Sequence, residues 1–514
     1  MANIQRGKAS SLTLTGKGLS FVKIASPKLN TSNLSANDEA LLRCKAALEQ
    51  KDRGDYAAAQ KTMLPYWNRM GEAPNTQGFE RSVAAEVSLC VGILTGCIGS
   101  KNQVSDAQEI AKNLITQSMS YFESRKDTTK IGVAQSEIAY CYWREGALNE
   151  ARSWLYDALD KLTFEGADRA RALLKLSTVE WTSGRFREAL ELLELNESLF
   201  RKITNPRIKG YYFSELGILH RNLATSENKR EYFHRAIDEY KEAEKQFKLA
   251  RNQIFRADVI NNVGFLLFKL GRYKEAHKYL DEARRLTIRF KDKARTAQID
   301  ESRAQVFVAE GNLTEAERVA RGAVSLFKKG GHFCMMAEAL ITQGTALARL
   351  GRDDYARSIF QQAIQVAHRV NALNTAGLAA LTLLEEVQDL TPEIVQAAYR
   401  QAREWLANSQ SPDTKLRLAD VADKVVASIQ TELKADDATE ILLREPGGLQ
   451  AQLDKYEGVI IKRALVQVDG KLTQAASLLE LRYQSLAYKI EHQHPELLNY
   501  RTPVRRRPRK HRTR

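Results

Sequence analysis

Proline is scarce in this chain. Ten of 514 residues are proline, and between Pro74 and Pro392 only Pro206 interrupts. A stretch of that length that avoids the main helix breaker predicts helix almost throughout. Cysteine is scarce as well. The five cysteines, Cys44, Cys90, Cys97, Cys141 and Cys334, are odd in number and scattered, without a C-x-x-C pair. That excludes a disulfide framework and a cysteine zinc site, and it predicts free thiols in a reducing compartment. No run of about eighteen uncharged apolar residues occurs, which argues against a membrane span. The amino terminus has no apolar core before a cleavage site, so no secretory signal is expected. The expectation is a cytoplasmic protein. Phosphate loops, H-E-x-x-H and EF-hand patterns are missing, and no nucleophile, base and orienter assemble from the sequence. Neither enzyme activity nor a cofactor is expected. His492 and His494 flank Gln493, but two histidines without further ligands fit a polar helix end better than a metal site.

What is present is a sizeable apolar fraction, 43%, with 27% charged residues and a net charge of +15. The charge is unevenly placed. Residues 501–514 contribute +8 without an acid and residues 1–37 contribute +5, which leaves +2 of the +15 for the other 463 residues. A nearly neutral body with basic ends predicts that a polyanion is met at the termini.

The body is repetitive. Six segments share Gly, an apolar position two residues on and Ala five residues on: GDYAAA (54–59), GALNEA (146–151), GRFREA (184–189), GRYKEA (271–276), GNLTEA (311–316) and GRDDYA (351–356). Gly271, Gly311 and Gly351 are 40 residues apart. Degenerate copies at 91–114 and 212–243 fill the wider gaps. A small residue lies seven positions before each Gly (Ala139, Ser177, Gly264, Ala304, Gly344). Gly is expected to cap a first helix in the left-handed conformation, and Ala to let a second helix approach closely. Asp353 replaces the apolar residue of its turn, which predicts a more exposed turn there.

This pattern resembles the tetratricopeptide repeat over most of residues 38–405, with a period longer than usual. The resemblance implies a curved array of about eighteen antiparallel helices with an extended groove lined by the first helix of each pair. The residues it would present are Tyr140, Trp143, Trp181, Arg221, Asn261, Asn262, Phe265 and Gln305, a mix suited to a peptide or protein partner.

Past Leu406 the period stops. Residues 407–450 read as a linker carrying one amphipathic helix, with Leu418, Val421, Val425, Ile429 and Leu433 on one face. Residues 451–498 then predict a helix ending at Gly470, a short helix with Thr473 as N-cap, and a third helix over 482–491. Leu486 and Ile490 would face inward, leaving Arg482, Tyr483, Gln484, Ser485, Tyr488 and Lys489 outside. Such a face can pair with base edges in a major groove. The segment is similar to the Fis-type helix-turn-helix (the factor-for-inversion-stimulation family) through Ala464-Leu465, Gly470-Lys471, Thr473, Ala475-Ala476, Leu478-Leu479, Leu481, Leu486 and Lys489-Ile490. Glu480 stands where that family usually has Gly, implying a different turn, and Tyr483 where it usually has Arg. The resemblance implies a bacterial DNA-binding module with Lys471 and Thr473 among its DNA-binding residues. It also implies pairing into a homodimer through the apolar faces of 417–433 and 456–468. Residues 499–514 follow as a basic arm with Arg505, Arg506, Arg507, Arg509 and Lys510, placed to track phosphates.

The expected fold class is therefore all-α: a basic tail (1–37), a tetratricopeptide-repeat-like α-solenoid (38–406), a linker (407–450), a small helix-turn-helix domain (451–498) and a basic arm (499–514). The expected function is sequence-specific binding of double-stranded DNA in transcription regulation, with a protein or peptide in the repeat groove. The alternative is a scaffold that binds no DNA and whose basic tail meets another polyanion.

Overall fold

The computed structural model describes residues 34–102, 104–227, 229–407, 409, 411–435 and 449–502. The basic tail up to residue 33 and the arm residues Arg505, Arg506, Arg507, Arg509 and Lys510 lie outside them. Every regular element among the described residues is helical. The elements run α1 (Ala36–Asp52), α2 (Tyr56–Met63), α3 (Arg81–Asn102), α4 (Ala107–Ser124), α5 (Thr128–Glu145), α6 (Leu148–Lys161), α7 (Ala167–Thr182), α8 (Phe186–Leu195) and α9 (Glu197–Lys202). They continue with α10 (Pro206–Ser226), α11 (Arg230–Leu249), α12 (Gln253–Lys269), α13 (Tyr273–Arg289), α14 (Lys293–Ala309), α15 (Leu313–Gly330), α16 (Phe333–Arg349), α17 (Asp353–Arg369), α18 (Leu373–Glu386), α19 (Pro392–Trp405) and α20 (Pro412–Ala435).

The two helices of a pair differ in a way the residues explain. The first, as in α16, buries Met336, Ala337, Ala339, Leu340 and several more around most of its circumference, because neighbours pack on several sides of it. The second, as in α17, buries only Ala356, Phe360, Ala363 and Ala367, a single stripe at helical spacing. Close approach within a pair needs a small residue on the first helix. A Cβ on Gly264 would lie 2.7 Å from the Leu280 side chain, and one on Gly217 2.7 Å from the Tyr240 ring. The Ala five positions after each turn glycine is fully buried, from Ala59 to Ala356.

Turns within pairs use glycine at positive φ, from Gly54 (78°) to Gly351 (72°). Turns between pairs form a second series at the same period that the glycine pattern did not reveal. Lys126, Arg251, Lys291 and Asn371 hold the left-handed conformation without being glycine, and Gly331 takes it at the equivalent place. In three cases the next residue caps the following helix. Asp127 Oδ1 accepts from the Lys130 amide at 3.0 Å, Asn252 Oδ1 from the Phe255 amide at 3.3 Å and Asp292 Oδ1 from the Arg295 amide at 3.1 Å. The turn at Asp353 is no more open than its counterparts, since Asp353 is half-buried as Tyr273 is. Its carboxylate sits in the first turn of α17, where the helix dipole suits it.

The chain divides into two compact units, residues 1–302 and 303–514. The core of the first is a series of overlapping clusters, from Trp67, Val87 and Leu94 through Ile115 and Ile138 to Leu173, Phe200 and Leu219. Helix α3 is long and apolar enough, by length and composition alone, to cross a membrane, with a mean hydropathy of 1.7; 78% of that stretch is buried in this core. The search for an uncharged run missed it because Glu86 interrupts the run, although the average stays high.

In the second unit the array continues past Leu406. Val421 and Val425 of α20 are buried against Leu381, Leu384, Ala398 and Ala402 of α18 and α19. Arg417 grips Glu385 at 2.6 Å. The part of this face formed by Leu418, Val421 and Val425 is therefore occupied by the array and is not free to serve as a dimer seam. Thus α20 closes the array instead of lying in a linker.

The terminal module, also in the second unit, consists of α21 (Leu449–Gln467), α22 (Leu472–Leu478) and α23 (Tyr483–Tyr488). A wider π-turn (Lys489–Gln493) continues α23, and a final 3-10 turn covers Pro495–Tyr500. Ile461, Ala464, Leu465, Leu472, Ala475, Ala476, Leu486, Ile490 and Leu497 form its core.

Candidate functional site

The inside of the first unit is charged and aromatic. On α5, Glu137, Tyr140 and Arg144 share one face by their three- and four-residue spacing, as do Lys175, Thr178 and Trp181 on α7 and Arg207, Tyr211 and Glu215 on α10. The chain curls far enough that the end of α1 meets helices more than 150 residues later. Arg207 Nη1 lies 3.1 Å from the Asp52 carboxylate, and the Asp52 carbonyl accepts from the Tyr211 hydroxyl at 3.4 Å and from Asn252 Nδ2 at 3.2 Å. These helices thus meet on the inside of the unit.

One wall of it gathers Tyr140, Trp143 and Trp181, three residues expected from the sequence. The Tyr140 and Trp143 rings stack at 4.7 Å, and the Arg144 guanidinium lies 4.4 Å over the Tyr140 ring while donating to Cys97 Sγ at 3.1 Å. Trp143 Nε1 donates to Thr182 Oγ1 at 3.1 Å, and Trp181 Nε1 to Glu215 Oε2 at 2.8 Å. Below them Lys175 Nζ pairs with Glu137 at 2.8 Å, both side chains about 15% exposed. Burial opposes the charge of Glu137, but Lys175 and Lys51 hold its carboxyl down to about 2. Burial pushes Glu215 the other way, up to about 7, against the hydrogen bonds it accepts.

The other expected groove residues fall elsewhere. Arg221 on α10 and Asn262 and Phe265 on α12 are half-buried further along the first unit, with Lys269 Nζ 5.3 Å over the Phe265 ring. Asn261 is buried in the packing and is not presented. Gln305 is half-buried and belongs to the second unit. The residues the sequence reading missed are the ionic ones: Glu137, Arg144, Lys175 and Glu215. Their signal was charge repeated at helical spacing on otherwise apolar first helices.

The terminal module is a candidate nucleic-acid interface. Arg482, the N-cap of α23, and Tyr483, Gln484, Ser485 and Tyr488 on the helix are all exposed, whereas Leu486 and Ile490 are buried. Lys489 departs from the expected face. Its ammonium is paired with Glu457 of α21 and leans on Gln493 at 3.5 Å, so it is committed inside the module. Thr473 is not the N-cap of α22; Lys471 holds that position, and Thr473 is exposed in the first turn. Both remain accessible beside α23. Glu480 takes the left-handed conformation, φ 54°, so the backbone makes the turn that glycine would make despite the different residue. At Gly470 a Cβ would lie 2.6 Å from the Tyr500 carbonyl. Thr502 donates its amide to the Gly470 carbonyl at 2.9 Å, which fixes the chain just where the basic arm begins.

Comparison with known proteins adds one family match. Residues 256–289, covering most of α12 and all of α13, match the tetratricopeptide repeat. That segment is thus a tetratricopeptide repeat, and it sits among described elements that are all helical. No curated protein matches it in sequence. Among solved structures it is similar to a signal transduction ATPase with a tetratricopeptide repeat sensor from Pyrococcus horikoshii, at 12% identity and a TM-score of 0.46 over 75% of this chain. The chain spans 54% of that protein. The apo quorum sensor NprR from B. thuringiensis gives 14% identity and a TM-score of 0.46, covering 65% of this chain and 89% of the other. A Rap protein complexed with competence and sporulation factor gives 11% identity and a TM-score of 0.45, covering 68% of this chain and 99% of the other.

Proposed function

We propose that this chain is a cytoplasmic, non-catalytic transcription regulator that binds double-stranded DNA through its terminal module and a peptide or protein through the groove of its repeat array. The observation that carries the DNA half is the start of α23: five polar or aromatic side chains of residues 482–488 stand exposed over an apolar core, after a turn held in the left-handed conformation. Arg can pair with guanine and Gln with adenine, so Arg482 and Gln484 are the base readers in this reading. Tyr483, Ser485, Tyr488, Lys471 and Thr473 serve phosphates or base edges. The groove half rests on the repeat match and on the ring-lined wall of α5, α7 and α10.

The arm tests the reading through salt. Residues 503–514 are the part to remove, because Thr502 and Arg501 are tied to Gly470 and to Glu491, the latter at 2.9 Å. If about five of its cations meet phosphates, each contact contributes a slope near −0.9, so truncation after Thr502 should flatten the log–log salt dependence by roughly four to five units. Specific and random duplexes should lose affinity alike. An unchanged slope would deny the arm a DNA role and favour the scaffold alternative.

A further inference from the structure

Glu215 differs from the other carboxylates of the inner groove. Glu137 is paired with Lys175 at 2.8 Å, Asp52 with Lys51 at 3.0 Å and Arg207 at 3.1 Å, and Asp258 with Arg295 at 2.9 Å. Among the described residues Glu215 has no ion-pair partner. Its oxygens accept from Trp181 Nε1 at 2.8 Å and Thr178 Oγ1 at 3.4 Å, which orient it without neutralising it. The titratable groups near it on other helices are the phenols of Tyr140 on α5 and Tyr240 on α11, both pushed up to about 12 by burial and hence uncharged. Burial correspondingly raises the Glu215 carboxyl to about 7.

A half-buried carboxylate fixed by two donors, lacking a counter-ion, carries a desolvation cost that an arriving cation would offset. The indole that donates to it belongs to the same wall as the stacked Tyr140 and Trp143, whose faces also favour cations. No group of three or more metal-ligating side chains occurs among the described residues, so a metal ion is a poor occupant. On the same wall Arg144 has no carboxylate within ion-pair distance among the described residues; its contacts are Cys97 and the Tyr140 ring. An unpaired anion, and a cation that Glu137 attracts without a direct ion pair, beside aromatic rings suit an occupant that carries both charges and apolar groups, as a short peptide does.

We propose that Glu215 is the specificity-determining subsite of the groove and receives a cationic group of a bound peptide, either its α-ammonium or a Lys or Arg side chain. This rests on the groove reading above. Arg144 then faces a carbonyl or carboxylate of the same peptide, and Trp181 holds Glu215 in place.

The test uses the full chain, immobilised and panned against a random hexapeptide library with free or acetylated amino termini. The wild type should enrich peptides with Lys or Arg at one position, or enrich only the free-amino library, and the two arms separate the two sources of the cation. Glu215→Gln, nearly the same size and still able to accept from Trp181, should lose that preference and bind the selected peptides roughly ten-fold or more weakly. Tyr140→Ala should weaken every selected peptide, whatever its charge. Enrichment without a cationic requirement, or the same peptides from wild type and Glu215→Gln, would overturn the assignment of Glu215 and leave the groove reading standing. If the wild type enriches nothing, both fall.

Discussion

Two titratable side chains of α10, the buried His220 and the half-buried Glu215, change stability in opposite directions with pH. His220 is almost fully buried with neither ring nitrogen partnered, and burial, with Arg235 nearby, lowers its pKa from 6.5 to about 4. A group with a depressed folded pKa contributes stability above its unfolded pKa and loses it as pH falls toward the folded one. Stability should therefore drop from pH 6.5 downward, and the difference between wild type and His220→Leu should shift in favour of the variant by about 2 kcal/mol between pH 7 and pH 5. Urea titrations at the two pH values measure it, and parallel pH profiles would show that His220 binds protons alike in the folded and unfolded chain. Glu215, with its pKa raised, works in reverse: its ionisation costs stability as pH rises from 4.5 to 7. Single residues were the least legible part of the sequence. Tyr140, Trp143 and Trp181 stand out as aromatics on first helices, and the structure does bring them together. The ion pairs around them depend on partners in other repeats, such as Arg207 with Asp52, and no local pattern contains that pairing. Lys489 was misplaced for the same reason, since its partner Glu457 is on another helix.

At the scale of elements the repeat was readable because a glycine marks six of the turns within pairs and a buried alanine follows each of those glycines five residues on. The turns between pairs were hidden. Their left-handed positions carry Lys, Arg or Asn, which accept the conformation at a cost of about 1 kcal/mol or more where glycine would not. The end of the array was also placed too early, because the apolar stripe of α20 reads the same whether it meets the array or a partner. The remaining exposed stripe is on α21, where Leu453, Tyr456 and Ile460 are 51%, 50% and 39% exposed along one face. In the proposed reading this stripe pairs two copies, which is how a small module reads two half-sites about one helical turn apart. Light scattering should give a dimer for the full chain and a monomer for Ile460→Asp, with unchanged circular dichroism. A wild type that is monomeric both free and on DNA would remove the seam.

For the whole molecule, the proposal joins a sensing groove in the first unit to a DNA-reading module in the second. Fold class was legible early, because proline scarcity and a 40-residue period both require stacked helices. The curl that brings α1 onto α10 and α12 was not, since it results from small rotations summed over several pairs. The DNA-reading claim is the centre of the account, and it can be tested without knowing an operator. The measurement is binding-site selection from a random duplex pool by the full chain, beside the double variant Arg482→Ala and Gln484→Ala. The account predicts that the wild type enriches a defined motif with two related half-sites, and that the double variant retains DNA in a salt-sensitive manner without enriching that motif, since each lost base contact removes roughly 1–3 kcal/mol of discrimination. A wild type that enriches no motif, or a double variant that enriches the same one, would contradict it.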